Sequence, residues 1–336
     1  MPLMESQQDT EAMQQAIQEA AAILRRGGLV ALPTETVYGL GADASNPAAV
    51  ARIFAAKGRP ADHPVIVHLG NVAQLEYWAT DIPDVAYKLA QAFWPGPLTL
   101  ILKRHARVSD AVTGGQDTIG LRIPGHPIAL ALLNAFGGGI AAPSANRFGR
   151  ISPTTAAHVR EELGTAVDCI LDGGPCQVGI ESTIVDLSAE GARVLRPGGI
   201  SAAALEAVLG HALLPVAGTT PRVPGALEVH YAPRTPLKLV AAEDLNATVM
   251  TYLQRGERVA VLARTGVSPD QRCRWESMPA TAADYAQVLY AKLRALDDLT
   301  ADIILIEAPP AEAAWQAVLD RLQRAAMRDD RFTAGC

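Results

Sequence analysis

Lys57, Arg59 and His63 fall within eight residues, Lys57-Gly58-Arg59-Pro60-Ala61-Asp62-His63-Pro64, immediately before an apolar run at 65–69 that carries His68. Cations at a strand entrance suit phosphate oxygens, because arginine offers a fork of donors and lysine a point charge. Arg122 sits in the mainly apolar run 118–124, where a lone charge is costly. It needs a carboxylate, either from the protein or from a substrate. Thr34, Glu35, Thr36 and Tyr38 place hydroxyls and a carboxylate where the apolar run 29–32 ends, and Gly39 and Gly41 leave room for close approach. Ser144, Ala145 and Asn146 follow another apolar run in the same way. Each feature also has a plain structural reading: solvated loop, glycine turn or internal ion pair.

The elements that must hold these residues follow from periodicity. Residues 29–32 make a short buried strand, which Pro33 ends because it has no N–H to donate. A helix over 9–26, with Asp9 or Thr10 as N-cap and Gly27-Gly28 as its stop, leads into it. A second helix over 46–56 has Pro47 at its first position. Further strands are predicted at 65–69, 98–102, 118–124, 140–143 and 179–186, with helices at 82–93, 127–136, 153–162 and 201–210. The two-residue period places Thr118, Gly120 and Arg122 on one face. Residues 211–236 carry five prolines and no clear period, which predicts an interdomain linker containing the stiff segment His230-Tyr231-Ala232-Pro233. Beyond it strands (237–240, 258–263, 303–307) alternate with helices (244–253, 282–296, 311–326). That alternation predicts a small parallel-sheet domain. It contains neither GxGxxG nor GxxxxGK[ST], so neither of those nucleotide sites is indicated.

The totals narrow the class. A chain of 336 residues, 49% hydrophobic and 19% charged, has room for about two cored domains. A formal net charge of -6 argues against non-specific coating of nucleic acid. Cys169, Cys176, Cys273 and Cys336 show neither CxxC spacing nor nearby histidines, so zinc and a disulfide framework are not expected. With no secretory signal and no membrane span in sight, a cytoplasmic location is the expectation.

Taken together, in order, the segments are more specific than any one of them. LPTETVYGLGADA, the Lys57-x-Arg59 pair, His68, FWPGPLT, Gly120-Leu121-Arg122-Ile123-Pro124, APSAN, DGG, Gly179-Ile180-Glu181-Ser182-Thr183 and Leu195-Arg196-Pro197-Gly198 resemble the YrdC/Sua5 family. His230-Tyr231-Ala232-Pro233 and the trailing α/β domain resemble its long, two-domain Sua5 branch. The resemblance implies an α/β fold: a YrdC-like twisted-sheet catalytic domain (9–210), a linker covering the site (211–236), and a smaller Rossmann-like parallel Sua5 domain (237–336). It implies a threonylcarbamoyl-AMP synthase that joins L-threonine, bicarbonate and ATP, with Mg²⁺ accompanying the ATP and no fixed protein ligands. The product would pass to the tRNA threonylcarbamoyl transferase machinery that makes N6-threonylcarbamoyladenosine.

The resemblance also assigns residues. Lys57, Arg59, Ser144 and Asn146 match the family's K-x-R and S-x-N tetrad at the triphosphate. Arg59, His63, Thr118, Ser144, Ser152, Arg196 and Tyr231 match its ATP contacts. Thr36, His68, Arg122, Ala142 through its backbone, and Ser182 match its threonine contacts. No general base stands out, and the carbamate is already a nucleophile. One departure is Ala226-Leu227-Glu228-Val229, where family members commonly carry a basic or aromatic residue, so the resemblance implies a lid contact that is lost or replaced here. A double-stranded-RNA binding module and a carbamoyl-adenylating enzyme of hydrogenase maturation are the competing readings. Net acidity weighs against the first, and the lack of zinc-finger cysteine pairs against the second.

Overall fold

The computed structural model describes residues 7–216, 218, 220–225 and 230–327. The segment Ala226 to Val229 and Cys336 lie outside the described residues. Among those described, nine strands form one sheet: β1 (Val30–Leu32), β2 (Gly39–Asp43), β3 (Ile66–His68), β4 (Leu98–Lys103), β5 (Thr118–Arg122), β6 (Ile140–Ala141), β7 (Cys169–Ile170), β8 (Thr183–Asp186) and β9 (Arg193–Arg196). Their order is β7-β1-β2-β6-β3-β5-β4-β8-β9, with parallel and antiparallel pairs mixed. The opening helix already runs from Gln7 to Arg25, so Asp9 and Thr10 lie in its first turn and do not cap it. Asn46 does cap the next helix, Pro47–Lys57, through the N–H groups of Ala48 and Ala49.

The pleat sorts this sheet into two faces. Val67, Leu98, Leu100, Leu102, Ile119, Leu121 and Val185 enter the main helix-covered core. The alternate positions Ile66, Ile101 and Ile184 point the other way, where Val223 of the proline-rich segment packs on them. That segment is pinned nearby, because the Gln116 side chain bonds both the N–H and the carbonyl of Arg222. Register does the rest: in the parallel β3/β5 pair, Ile66 faces Gly120 and His68 faces Arg122. A histidine and an arginine far apart in the chain thus become neighbours.

The second sheet comprises β10 (Leu237–Val240), β11 (Val259–Ala263), β12 (Arg274–Ser277) and β13 (Ile303–Glu307), in the order β10-β13-β11-β12 with every pair parallel. The alternation in sequence predicts three of these strands. β12 escapes it because Arg-Trp-Glu-Ser is an edge strand whose charges protect an open flank. The last helix starts as a 3-10 turn at Ala313–Trp315 and becomes α-helical over Gln316–Ala326.

One apolar cluster joins the two sheets' layers: Val37, Ile151, Ile180 and Tyr231 pack with Tyr285, Leu289, Tyr290 and Leu293 of the helix Ala282–Asp297. Arg294 on that helix pairs with Glu162 at 3.0 Å and donates to the Ile151 carbonyl. Asp297 accepts from Arg150 and from the backbone of Arg234 and Thr235. The closest approach is at Gly179, where φ is +77° and a Cβ would stand 2.4 Å from the Gln287 carbonyl oxygen. Gly179→Ala is therefore expected to destabilise the protein by at least about 2 kcal/mol, from left-handed strain plus overpacking against rigid backbone. Chemical denaturation would measure it, and a change below about 0.5 kcal/mol would refute this account of the interface.

Candidate active site

Three arginines converge on one cavity at the open face of the nine-stranded sheet, and each is held differently. Arg122 ends β5 and is buried. Its Nε donates to the Gly96 carbonyl at 3.1 Å, its Nη1 to Thr36 Oγ1 at 3.0 Å and its Nη2 to Glu35 Oε1 at 2.6 Å. The protein carboxylate that the sequence demanded is thus Glu35, which also accepts from the Gly125 N–H. A guanidinium has five N–H donors, so each terminal nitrogen of Arg122 keeps one for another acceptor. Thr36 is fixed in turn by Thr34, whose hydroxyl lies 2.9 Å away and donates to the Val37 carbonyl. The polar run after β1 is a hydrogen-bonded turn built around Arg122.

Arg196 ends β9 and is also buried. It donates to the Ser182 carbonyl and hydroxyl and, through Nη1, to the Pro224 carbonyl at 2.8 Å. Ser182 Oγ is 2.8 Å from Thr99 Oγ1. Arg59 leaves the end of the helix Pro47–Lys57, lies over the Phe54 ring and donates to the Pro64 carbonyl. Its buried Nε has no partner. Burial lowers the Arg59 pKa to about 10, which leaves it charged at neutral pH. Among the described residues, neither Arg59 nor Arg196 has a carboxylate within ion-pair distance. A cavity with two such cations on its wall is built for an anion.

The same wall carries Thr36, His68, Ala142, Pro143, Ser144, Glu181, Ser182, His230 and Tyr231, and its non-atom space is about 550 Å³, part of it open to solvent. Pro224 and Gly225 close it from the linker side, and Tyr231 adopts φ +62°. The Tyr231 ring stacks on Tyr290 at 5.9 Å, and its buried hydroxyl has no partner. His68 Nδ1 and His230 Nδ1 are also buried without partners. Burial, reinforced for His68 by Arg122, pushes its pKa well below the usual histidine value. For His230 burial brings the pKa down to about 3. Both rings are neutral over the physiological range.

Other residues singled out from the sequence stand around the cavity and not on its wall. Lys57 is buried behind it and donates to the carbonyls of Ser144 and Asn146, so it shapes the backbone of the loop that presents Ser144. Burial first, then Arg59, drives the Lys57 pKa well below its usual value. Asn146 bonds the Arg147 and Arg150 carbonyls, and its Oδ1 is left without a partner. Ser152 donates to Glu181 at 2.6 Å. His63 is half-buried, edge-on to Phe148. Thr118 opens β5, about 13 Å along the strand from Arg122 at 3.3 Å per residue, and lines a separate open groove with Lys103, Arg104 and Ser188.

Sequence reasoning gave Glu181, Tyr290 and Arg321 no role. Glu181 reaches the wall and accepts from Ser152, Tyr290 and Arg321, the last at 2.7 Å. Burial alone would raise its pKa, but Arg321 and then Arg196 outweigh that and hold it at about 2. A signal for Arg321 was present: it falls on the apolar stripe Val318, Leu322, Ala325 of its helix, where a charge needs a buried partner. Among the described residues no group of three or more His, Cys, Asp or Glu side chains could hold a metal ion, and no helix is long and apolar enough to cross a membrane.

The neutral histidines fix a pH dependence. A histidine with a depressed folded pKa takes up its proton mainly on unfolding, so stability is intact above about pH 6.5 and is lost as pH falls below it. A fully suppressed site contributes up to about 1.4 kcal/mol per pH unit. Unfolding free energies measured between pH 7 and pH 5 should therefore fall on acidification, and His68→Gln should reduce that slope by about one proton. An unchanged slope would mean that His68 is protonated in the folded protein.

Comparison with known proteins identifies the family of the chain. The domain model described as "Telomere recombination" matches residues 22–198, and the one described as "Threonylcarbamoyl-AMP synthase, C-terminal domain" matches residues 200–327. Relatives named threonylcarbamoyl-AMP synthase include one from Pyrococcus abyssi, 40% identical over 92% of this chain and 93% of its own. Another, from Bacillus subtilis, is 41% identical over 92% of each. The crystal structure of P. abyssi Sua5 complexed with L-threonine superposes with a TM-score of 0.87 at 38% identity, covering 93% of this chain and 94% of that one. With family models matching residues 22–198 and 200–327 and relatives about 40% identical over 92% of its length, the chain belongs to the Sua5/YrdC family.

Proposed function

We propose that this protein is a threonylcarbamoyl-AMP synthase, a nucleotidyltransferase that makes threonylcarbamoyl-adenylate and pyrophosphate from L-threonine, bicarbonate and ATP. The observation that carries the reading is the division of the cavity wall. Arg122, with two N–H donors to spare beside neutral His68 and Thr36, suits an amino-acid carboxylate. Arg59 and Arg196, which lack carboxylate partners among the described residues, suit a polyphosphate. In this reading Ala142, the residue after β6, gives its backbone to the amino acid, and Ser144, two residues on, serves the phosphates; both line the cavity.

In the reaction the threonine amine combines with bicarbonate, losing water, to give a carbamate. A carbamate oxygen then attacks the α-phosphorus of ATP; the bond to the bridging oxygen breaks and pyrophosphate leaves with its electron pair. The chain's part is to hold the two reactants in line and to stabilise the charge on the phosphates. Neutral His68 and His230 provide uncharged walls that do not compete for that charge. Lys57 acts through the loop that it holds. Mg²⁺ would be carried by phosphate oxygens and water, because Glu181, the carboxylate on the wall, is already engaged by Ser152, Tyr290 and Arg321. A separate cytoplasmic transferase machinery then moves the threonylcarbamoyl group from the adenylate to tRNA and releases AMP, which completes the proposal.

The test is pyrophosphate release from ATP and Mg²⁺ with bicarbonate, with and without L-threonine. Release should require threonine, and Arg122→Lys should raise the threonine KM by about 10- to 100-fold, the value of a charge-assisted pair, while the ATP KM stays within about threefold. Release that ignores threonine, or an Arg122 variant that hurts ATP instead, would overturn the assignment.

A further inference from the structure

Arg321 comes from the helix Gln316–Ala326, more than 120 residues from the arginine-bearing β9, yet it is buried against the cavity from behind. Its Nε donates to Glu181 Oε2 at 2.7 Å and its Nη2 to the Pro197 carbonyl at 3.0 Å. Those partners immediately flank Ser182 and Arg196, which are joined to each other by three hydrogen bonds. The third nitrogen, Nη1, is paired with Asp320 on its own helix. The guanidinium carbon also lies 5.2 Å from the centroid of the Tyr231 ring, which packs against the rings of His230 and Tyr290 as well. The space is already filled: a Cβ on Gly198 would stand 2.3 Å from the Thr183 N–H nitrogen, so 181–183 and 197–198 are in direct backbone contact.

We propose that Arg321 is a positioning residue through which the C-terminal domain completes the ATP side of the cavity, by clamping Glu181 to Pro197 and seating Tyr231. This rests on the functional reading above. Arg321 touches neither reactant in that reading; its effect runs through Arg196 and Tyr231. Glu181 is its counter-charge and is faced also by Ser152, Tyr290 and Arg196, with Tyr231 and His230 close by. The groups that hold the threonine carboxylate in that reading, Arg122 with Glu35 and Thr36, lie within the first 125 residues and make no hydrogen bond with Arg321.

The discriminating experiment uses the full-length chain with Arg321→Met, Arg321→Lys and the charge-balanced double variant Glu181→Gln/Arg321→Met. The last avoids leaving a buried carboxylate unpaired if Arg321→Met does not fold. Steady-state pyrophosphate release is measured against ATP and threonine, and threonine binding without ATP is measured by calorimetry. The expected result is a fall of at least tenfold in kcat/KM for ATP in Arg321→Met and in the double variant, partial recovery in Arg321→Lys, and threonine binding within about threefold of the parent. Unchanged kinetics for ATP would overturn the proposal, and so would a proportional loss of ATP turnover and threonine binding, which marks a residue that supports the fold alone. A parent protein that releases no threonine-dependent pyrophosphate would instead defeat the functional reading, which this comparison keeps separate.

Discussion

Guanidinium groups are costly to take out of water, and the need to compensate three of them at one cavity shapes most of the surrounding structure. Arg122 is met by a carboxylate, a hydroxyl and a carbonyl; Arg196 by two carbonyls and a hydroxyl; Arg59 by a carbonyl and an aromatic face. The polar turn at 34–37, the linker carbonyl at Pro224 and the hydroxyls of Thr99 and Ser182 all find their use in that compensation. Backbone carbonyls supply dipoles without cancelling the positive charge, so Arg59 and Arg196 stay attractive to an anion.

The mixed nine-stranded sheet makes this possible by giving part of one face to the site, while the helices Gln7–Arg25 and Pro127–Phe136 cover the β1 and β6 end of that face. Its other face carries the main apolar core, and on the site's face isoleucines alternate with the residues of the site. The proline-rich linker then crosses that face, with Val223 covering the isoleucines and Pro224, Gly225 and Tyr231 bordering the cavity. A segment of this kind cannot pair as a strand, since proline lacks the donor, so it covers the sheet without extending it.

The parallel four-stranded sheet is attached through more than a tether. Tyr231 belongs by sequence to the linker, but its ring lies in the core of the C-terminal layer, stacked on Tyr290. Glu181 belongs to the nine-stranded unit, but its charge is balanced by Arg321 from the last helix. Packing and charge compensation therefore both cross the boundary, and the cavity wall depends on residues from both ends of the chain.

By itself the sequence determined the class of the fold, most of its elements and the identity of the cationic cluster, because periodicity, proline and glycine act locally. Pro47 and Asn46 start a helix, and Pro33 ends a strand, whatever the rest of the chain does. It also demanded a partner for Arg122 without naming it, since a buried charge must be met but several carboxylates could meet it. Only the tertiary structure decided that Glu35 is the partner, that Lys57 and Asn146 stand behind the wall, and that Glu181 and Arg321 form a pair across 140 residues. Such choices depend on strand register and helix docking, which are set by the summed packing of distant segments and leave no local pattern. β12 shows the same limit from the other side: an edge strand keeps its charges to avoid further pairing, and so hides the alternation by which strands are read.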